Sequence, residues 1–173
     1  ELVHFPFVVN DFITTKYLTD MVEPLIYKNT IIYVPQNIVA EYAIPDGVSK
    51  INDLAFLSIN NLKKITIPAS VDYIGEGAFK NCENLEEVIF EENNTITKIG
   101  NSAFFECRKL NKINLSNLTA LSEIGSESFK FTAFTSFSIP SSISTIGPGA
   151  FMYVPLTEFV VTGTGGKLHV DNG

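Results

Sequence analysis

Catalysis and metal binding need side chains that converge, and in this chain the residues best suited to chemistry stand apart. The two histidines, His4 and His169, lie near opposite ends of the 173 residues, and neither has a second His or Cys at metal-ligand spacing. The two cysteines, Cys82 and Cys107, fall in apolar patterns that bury them, which rules against a Cys–His nucleophile pair. Glu91-Glu92-Asn93-Asn94 gathers oxygen atoms but lacks the spaced carboxylates of a calcium loop. Gly163-Thr164-Gly165-Gly166 is glycine-rich, yet no helical pattern follows that would aim its amides at a phosphate. Nor is there a Gly-x-Ser-x-Gly elbow or a His-Glu-x-x-His pair. The expectation is a chain with no catalytic residue, no metal and no cofactor, in short not an enzyme.

The elements that carry these residues repeat. The string Ile67-Pro68-x-x-Val71-x-x-Ile74-Gly75-x-x-Ala78-Phe79-x-x-Cys82-x-x-Leu85-x-x-Val88 has recognisable copies on both sides. Its register is set by Ile51-Asn52, Ile74-Gly75, Ile99-Gly100, Ile124-Gly125 and Ile146-Gly147, at intervals of 23, 25, 25 and 22 residues. Five residues after each Ile comes a Phe: Phe56, Phe79, Phe104, Phe129 and Phe151. A period of this length defines a solenoid, because one unit cannot bury its own apolar side and must stack on its neighbours. Leu62-x-x-Ile65-x-Ile67 alternates as a short strand with one face inward, and Pro68 ends it. Ala78, Phe79, Cys82 and Leu85 suit one or two turns of helix facing the core. Gly or Asn after each Ile predicts a left-handed turn there. The fold class expected is therefore an α/β repeat solenoid, with the five Phe rings as a buried column.

The Ile-Pro…Ile-Gly-x-x-Ala-Phe pattern, from Ile44 to about Val161, resembles the BspA-type leucine-rich repeat family, found in surface proteins of anaerobic bacteria and of protists such as Trichomonas. The resemblance implies a curved stack with a parallel sheet on the concave side and short helical turns on the convex side. It also implies a protein-binding module at the cell surface or secreted, adhering to host or extracellular-matrix proteins. The alternative is an intracellular scaffold on the same solenoid. At Phe90-Glu91 and Leu115-Ser116 the chain departs from the pattern, since Ile-Pro is missing and the loops are longer.

On the concave face the residues flanking each inward strand position point outward in two columns. One reads Glu41, Lys64, Glu87, Lys112, Ser136, Glu158, and the other Ala43, Thr66, Ile89, Asn114, Ser138, Val160. The alternating signs of the first column predict a self-neutralising ladder of Lys and Glu. The second column is a weakly polar strip along which a partner could lie. The candidate binding residues are thus Lys64, Thr66, Glu87, Ile89, Lys112, Asn114, Ser136, Ser138, Glu158 and Val160.

The organisation expected is an N-terminal cap or hairpin insertion over 1–36, about five repeats over 37–162, and a turn and the start of a further strand over 163–173. Within the first segment, 3–9 reads as a strand, 12–21 as a short helix, and Leu25–Tyr33 as a hairpin turning at Lys28-Asn29. The chain starts at Glu rather than Met and reads as a fragment of a longer repeat protein. A net charge of −7 without a basic stripe argues against nucleic acid. No apolar run reaches the ~18 residues of a membrane span, so direct membrane insertion is not expected. An end-to-end dimer is conceivable for a stack with open ends. Cys82 and Cys107 occupy the same position in adjacent units, as two buried thiols or, with Cα atoms within about 7 Å, as a disulfide. Asn93, Asn114 and Asn117 begin N-glycosylation triplets; Asn93 and Asn117, in the lengthened loops, are the better acceptors.

Overall fold

The computed structural model describes residues 22–163 and 169–170; the strand and helix expected over 3–9 and 12–21 lie outside them. The described chain opens on an antiparallel hairpin, β1 (Leu25–Tyr27) and β2 (Thr30–Tyr33). Lys28 and Asn29 both have positive φ, 46° and 59°, as a two-residue hairpin turn requires. The rest is a coil repeated six times, each coil contributing one strand to each of two walls. The first wall holds β3 (Glu41–Ala43), β5 (Lys64–Ile67), β7 (Glu87–Phe90) and β9 (Lys112–Ile113) as one parallel sheet, then β11 (Ser136–Pro140) and β13 (Glu158–Thr162) as another. The second wall is a continuous sheet of two-residue strands: β4 (Lys50–Ile51), β6 (Tyr73–Ile74), β8 (Lys98–Ile99), β10 (Glu123–Ile124), β12 (Thr145–Ile146) and β14 (His169–Val170). The hairpin joins this wall through β2, with Ile31 opposite Ile51. The second wall is the register Ile of each repeat, a strand too short to show as an alternating pattern.

Alternation does its expected work in the first wall. Ile65 and Ile67 are fully buried while Lys64 and Thr66 between them face outward, and β7 repeats the arrangement. Between the walls runs the phenylalanine column. Phe56, Phe79, Phe104, Phe129 and Phe151 stack with centroid separations of 4.7, 5.1, 5.4 and 5.5 Å and interplanar angles from 4° to 25°. The first four rings are fully buried.

The helical turns expected on the far side are absent: the segment from the register Ile to the Leu anchor is a run of single turns. Within it alternate amides bond locally, Ala78 N–H to Gly75 C=O and Lys80 N–H to Gly77 C=O. The amides between them cross to the next coil, Gly77 N–H to Asn101 C=O at 2.8 Å and Phe79 N–H to Ala103 C=O at 2.8 Å. An α-helix would turn all of them inward on its own axis. The alternation is possible because two residues per coil sit in the left-handed region, three and seven positions after the register Ile: Leu54 and Ser58, Gly77 and Asn81, Ser102 and Glu106, Glu127 and Phe131, Gly149 and Tyr153.

The glycine that follows the register Ile is therefore needed for a different reason from the one its type suggested. Gly75, Gly100, Gly125 and Gly147 are not among the positive-φ residues. A Cβ on Gly100 would stand 2.5 Å from the Gly75 carbonyl oxygen, and one on Gly147 would stand 2.5 Å from the Ser126 nitrogen. At these four positions the coils pack too closely for a side chain, whereas Asn52 holds the equivalent place in the first coil.

Two outcomes follow for chemical denaturation. Gly100→Ala should destabilise by about 1–3 kcal/mol, because the obstacle is backbone, whereas Ser102→Gly should stabilise by up to about 1 kcal/mol by relieving a left-handed serine. Phe104→Ala, which removes the middle of the column, should cost about 3–5 kcal/mol.

Candidate protein-binding face

The outward residues of the first wall form the columns expected of them, as main-chain register. Glu41, Lys64, Glu87 and Lys112 stand opposite one another in turn, as do Ala43, Thr66 and Ile89. After a gap, Ser136 stands opposite Glu158 and Ser138 opposite Val160. Their side chains are all half-buried or exposed. The structure thus brings the ten candidate residues onto one wall but in two blocks, β3–β5–β7–β9 and β11–β13, with no strand pairing between β9 and β11.

Charge along this wall is only partly neutralised. Lys64 reaches Glu87 at 3.5 Å, and the Ser136 hydroxyl donates to Glu158 at 2.9 Å. Among the described residues Lys112 has no carboxylate within ion-pair distance, because its facing neighbour Glu87 is turned to Lys64. The expected ladder therefore stops one step short, at the edge of the gap.

The gap has a local cause. At Asn114 the chain leaves the strand direction (φ −100°, ψ 58°) and enters a 3-10 turn, Leu115–Asn117. The Asn114 side chain then takes over the strand's pairing: its Oδ1 accepts from Phe90 N–H at 2.8 Å and its Nδ2 donates to Phe90 C=O at 2.9 Å. Both polar atoms of the Asn114 side chain are thereby engaged with Phe90. Asn93 and Asn117 are both exposed. β9 is cut to two residues, and a groove of about 500 Å³ opens between it and β11. Glu87, Ile89, Lys112, Asn114, Ser136 and Ser138 line it, together with Ile113, Phe134 and Phe137, which are not among the candidate binding residues read from the sequence. The signal that marked the place was the missing Ile-Pro at Leu115-Ser116.

The cysteines are settled as thiols. Cys82 Sγ donates to Phe56 C=O at 2.9 Å and Cys107 Sγ to Phe79 C=O at 3.1 Å, both buried and both free. In the next coil Thr132 fills the same position, and its hydroxyl donates to Phe129 C=O at 2.7 Å. Burial pushes the Cys82 thiol up to about 12, and burial, followed by the neighbouring Cys82, raises Cys107 well above its ordinary range. Among the described residues no three His, Cys, Asp or Glu side chains are grouped to hold a metal ion, and no helix is long and apolar enough to cross a membrane.

Coils of 22 to 25 residues with a parallel strand wall and a stacked phenylalanine column define a leucine-rich repeat solenoid. The family described as BspA type leucine rich repeat region matches residues 35–163 in six copies, and the chain belongs to it. Among solved structures, the chain is similar to a leucine-rich cell surface protein of Faecalibacterium prausnitzii, at 29% identity and a TM-score of 0.67, over 78% of this chain and 35% of that one. It also matches the T. pallidum leucine-rich repeat protein, at 23% identity and a TM-score of 0.64, over 75% of this chain and 63% of that one. A leucine-rich repeat protein of Bacteroides ovatus matches at 22% identity and 0.62, over 80% of this chain and 38% of that one. The last two show the fold alone. The chain spans less than two thirds of the length of each. No curated protein matches the sequence.

The folded state keeps protons on Cys82 and Cys107 that the unfolded chain releases above about pH 9, so their contribution to stability is complete below pH 9 and is lost as pH rises beyond it. Native protein at pH 8 should accordingly leave both thiols unmodified by a disulfide reagent over hours, with both reacting once denaturant unfolds the chain.

Proposed function

We propose that this chain is a non-enzymatic protein-binding module of a cell-surface protein, adhering to host or extracellular-matrix proteins through the outward face of its first wall. The observation that carries the reading is the contrast between the walls. The second wall presents one outward residue per two-residue strand, whereas the first presents two parallel columns of half-buried and exposed side chains, interrupted by the groove between β9 and β11. Small and weakly polar residues, Thr66, Ser136 and Ser138, let a partner's backbone come close, and Ile89 offers apolar area between them. Family membership and the likeness to a bacterial cell surface protein support the location. The partner class, a protein surface, is the one that extended solenoid faces serve.

Purified chain is to be tested by surface plasmon resonance against immobilised fibronectin, laminin, collagen and host-cell membrane glycoproteins. Saturable binding is expected to at least one, weakened about tenfold or more by the double substitution Ile89→Ala with Lys112→Ala. The melting temperature of that variant should stay within a few degrees, since both residues are partly exposed. Unchanged binding by the folded variant would remove the first wall as the contact surface.

A further inference from the structure

The break in the first wall is a place where the solenoid's own regularity stops. In neighbouring strands the residue equivalent to Ile113 is sealed: Ile65, Val88 and Phe137 are at most 2% exposed. Ile113 is half-buried, because the strand that should cover its flank has moved away. The break is closed at one end by the hydrogen bond from Ala133 N–H to Leu110 C=O, 2.9 Å, and bounded at the other by the Leu115–Asn117 turn. Between those limits the two-residue alternation of parallel pairing turns the main-chain groups of Ile113, Ser136 and Ser138 into the opening, where no strand ladder joins them. The Ser138 hydroxyl makes no hydrogen bond among the described residues. At the rim stands Lys112, the cation of the charge column with no carboxylate partner among those residues.

An apolar floor, open main-chain edges and one unpaired cation together specify an occupant. We propose that the break between β9 and β11 anchors an extended segment of a partner protein, seating one aromatic or aliphatic side chain on the half-buried Ile113 and Ile89, backed by the buried Phe134 and Phe137, and one adjacent carboxylate against Lys112. The proposal rests on the reading of the first wall as a protein-binding face and names the chemistry it selects. The segment is extended because its N–H and C=O groups meet the edges of two parallel strands, which a helix cannot satisfy. It is acidic because Glu87 is already neutralised by Lys64, so Lys112 is the unbalanced charge beside the opening. The anchor is a single large side chain because the break extends only from the Ala133–Leu110 hydrogen bond to the Leu115–Asn117 turn.

The test uses the whole chain and an array of acetylated, amidated heptapeptides of threonine with a central Phe, Leu or Ala, followed by Glu, Gln or Lys. Affinities are read by fluorescence polarisation and positions by amide chemical-shift changes. Phe-Glu and Leu-Glu members should bind saturably, at least tenfold tighter than their Ala-Glu and Phe-Lys counterparts, with the largest shifts at Ile113, Ser136 and Ser138. Lys112→Glu, an exposed substitution that leaves the core intact, should invert the preference from Glu to Lys peptides. Ser138→Tyr, which fills the opening from the rim, should abolish binding of every member. Absence of saturable binding across the array overturns the proposal, as does indifference to the flanking charge or shifts confined to other coils. If a matrix or host protein is bound and the Ile89/Lys112 double substitution weakens it while no peptide binds, the anchoring site falls and the broader face reading stands. If Thr66→Arg weakens the protein partner while Lys112→Glu leaves it untouched, the contact lies on β5 and the anchoring site is again overturned.

Discussion

The main-chain hydrogen bonds that pass from one coil to the next on the turn side set the terms for everything else in this molecule. Phe79 N–H reaching Ala103 C=O at 2.8 Å, and its equivalents along the stack, hold successive coils at the separation of hydrogen-bonded strands even where no strand is present. At that separation the phenylalanine rings fall into a parallel column with 4.7–5.5 Å between centroids, and the thiols of Cys82 and Cys107 reach carbonyls of the preceding coil. From Gly75 onward the glycine after the register Ile is the steric consequence of the same spacing; the first coil carries Asn52 there. A Cβ at Gly100 would meet the Gly75 carbonyl oxygen at 2.5 Å, so a coil stacked on another glycine-bearing coil admits none there. Hydrogen bonding thus fixes the pitch, and the pitch decides which residues each position accepts.

Period and burial were legible in the chain because they depend on side-chain type alone. The Phe column, the strand Lys64–Ile67, the hairpin turn at Lys28-Asn29 and the outward columns all follow from counting apolar positions. The turn conformation was not legible. Ala78, Phe79, Cys82 and Leu85 have helical spacing, yet the left-handed residues that break the helix include leucine, serine, glutamate, phenylalanine and tyrosine beside glycine and asparagine. Stacking hydrogen bonds, which no single repeat displays, offset the cost of about 1–2 kcal/mol for each such residue. The glycine after Ile misled for a related reason, since its type signals either a left-handed backbone or a close approach, and only the neighbouring coil distinguishes them.

The first wall shows the same division between what repeats and what does not. Glu41, Lys64, Glu87 and Lys112 could be placed in one column from spacing, because parallel strands in equal register align equivalent residues. The interruption after Lys112 arises where the sequence lacks Ile-Pro, at Leu115-Ser116, and where Asn114 substitutes its own amide for a stretch of strand ladder. Side-chain mimicry of a main-chain pair is invisible to periodicity. It depends on one asparagine meeting both polar groups of Phe90 across a distance of 24 residues in the chain.

A solenoid made only of identical coils offers a partner the same surface at every step, so a ligand gains area but no fixed register. Specificity requires a position that differs from its neighbours. In this chain the difference is concentrated at one place: the wall opens, the column of alternating charge loses its balance at Lys112, and an inward residue, Ile113, is uncovered. The opening and the uncovering of Ile113 share one cause, the early exit of the chain from β9 at Asn114, and the charge imbalance beside them arises because Glu87 is paired with Lys64. Because Asn114 satisfies Phe90 while it diverts the strand, the opening forms without leaving buried polar groups of β7 unpaired, which would otherwise cost about 1–3 kcal/mol each. The interruption is thereby compatible with a rigid stack on either side, and a rigid edge on each side of an opening is what allows one segment to be held in one register.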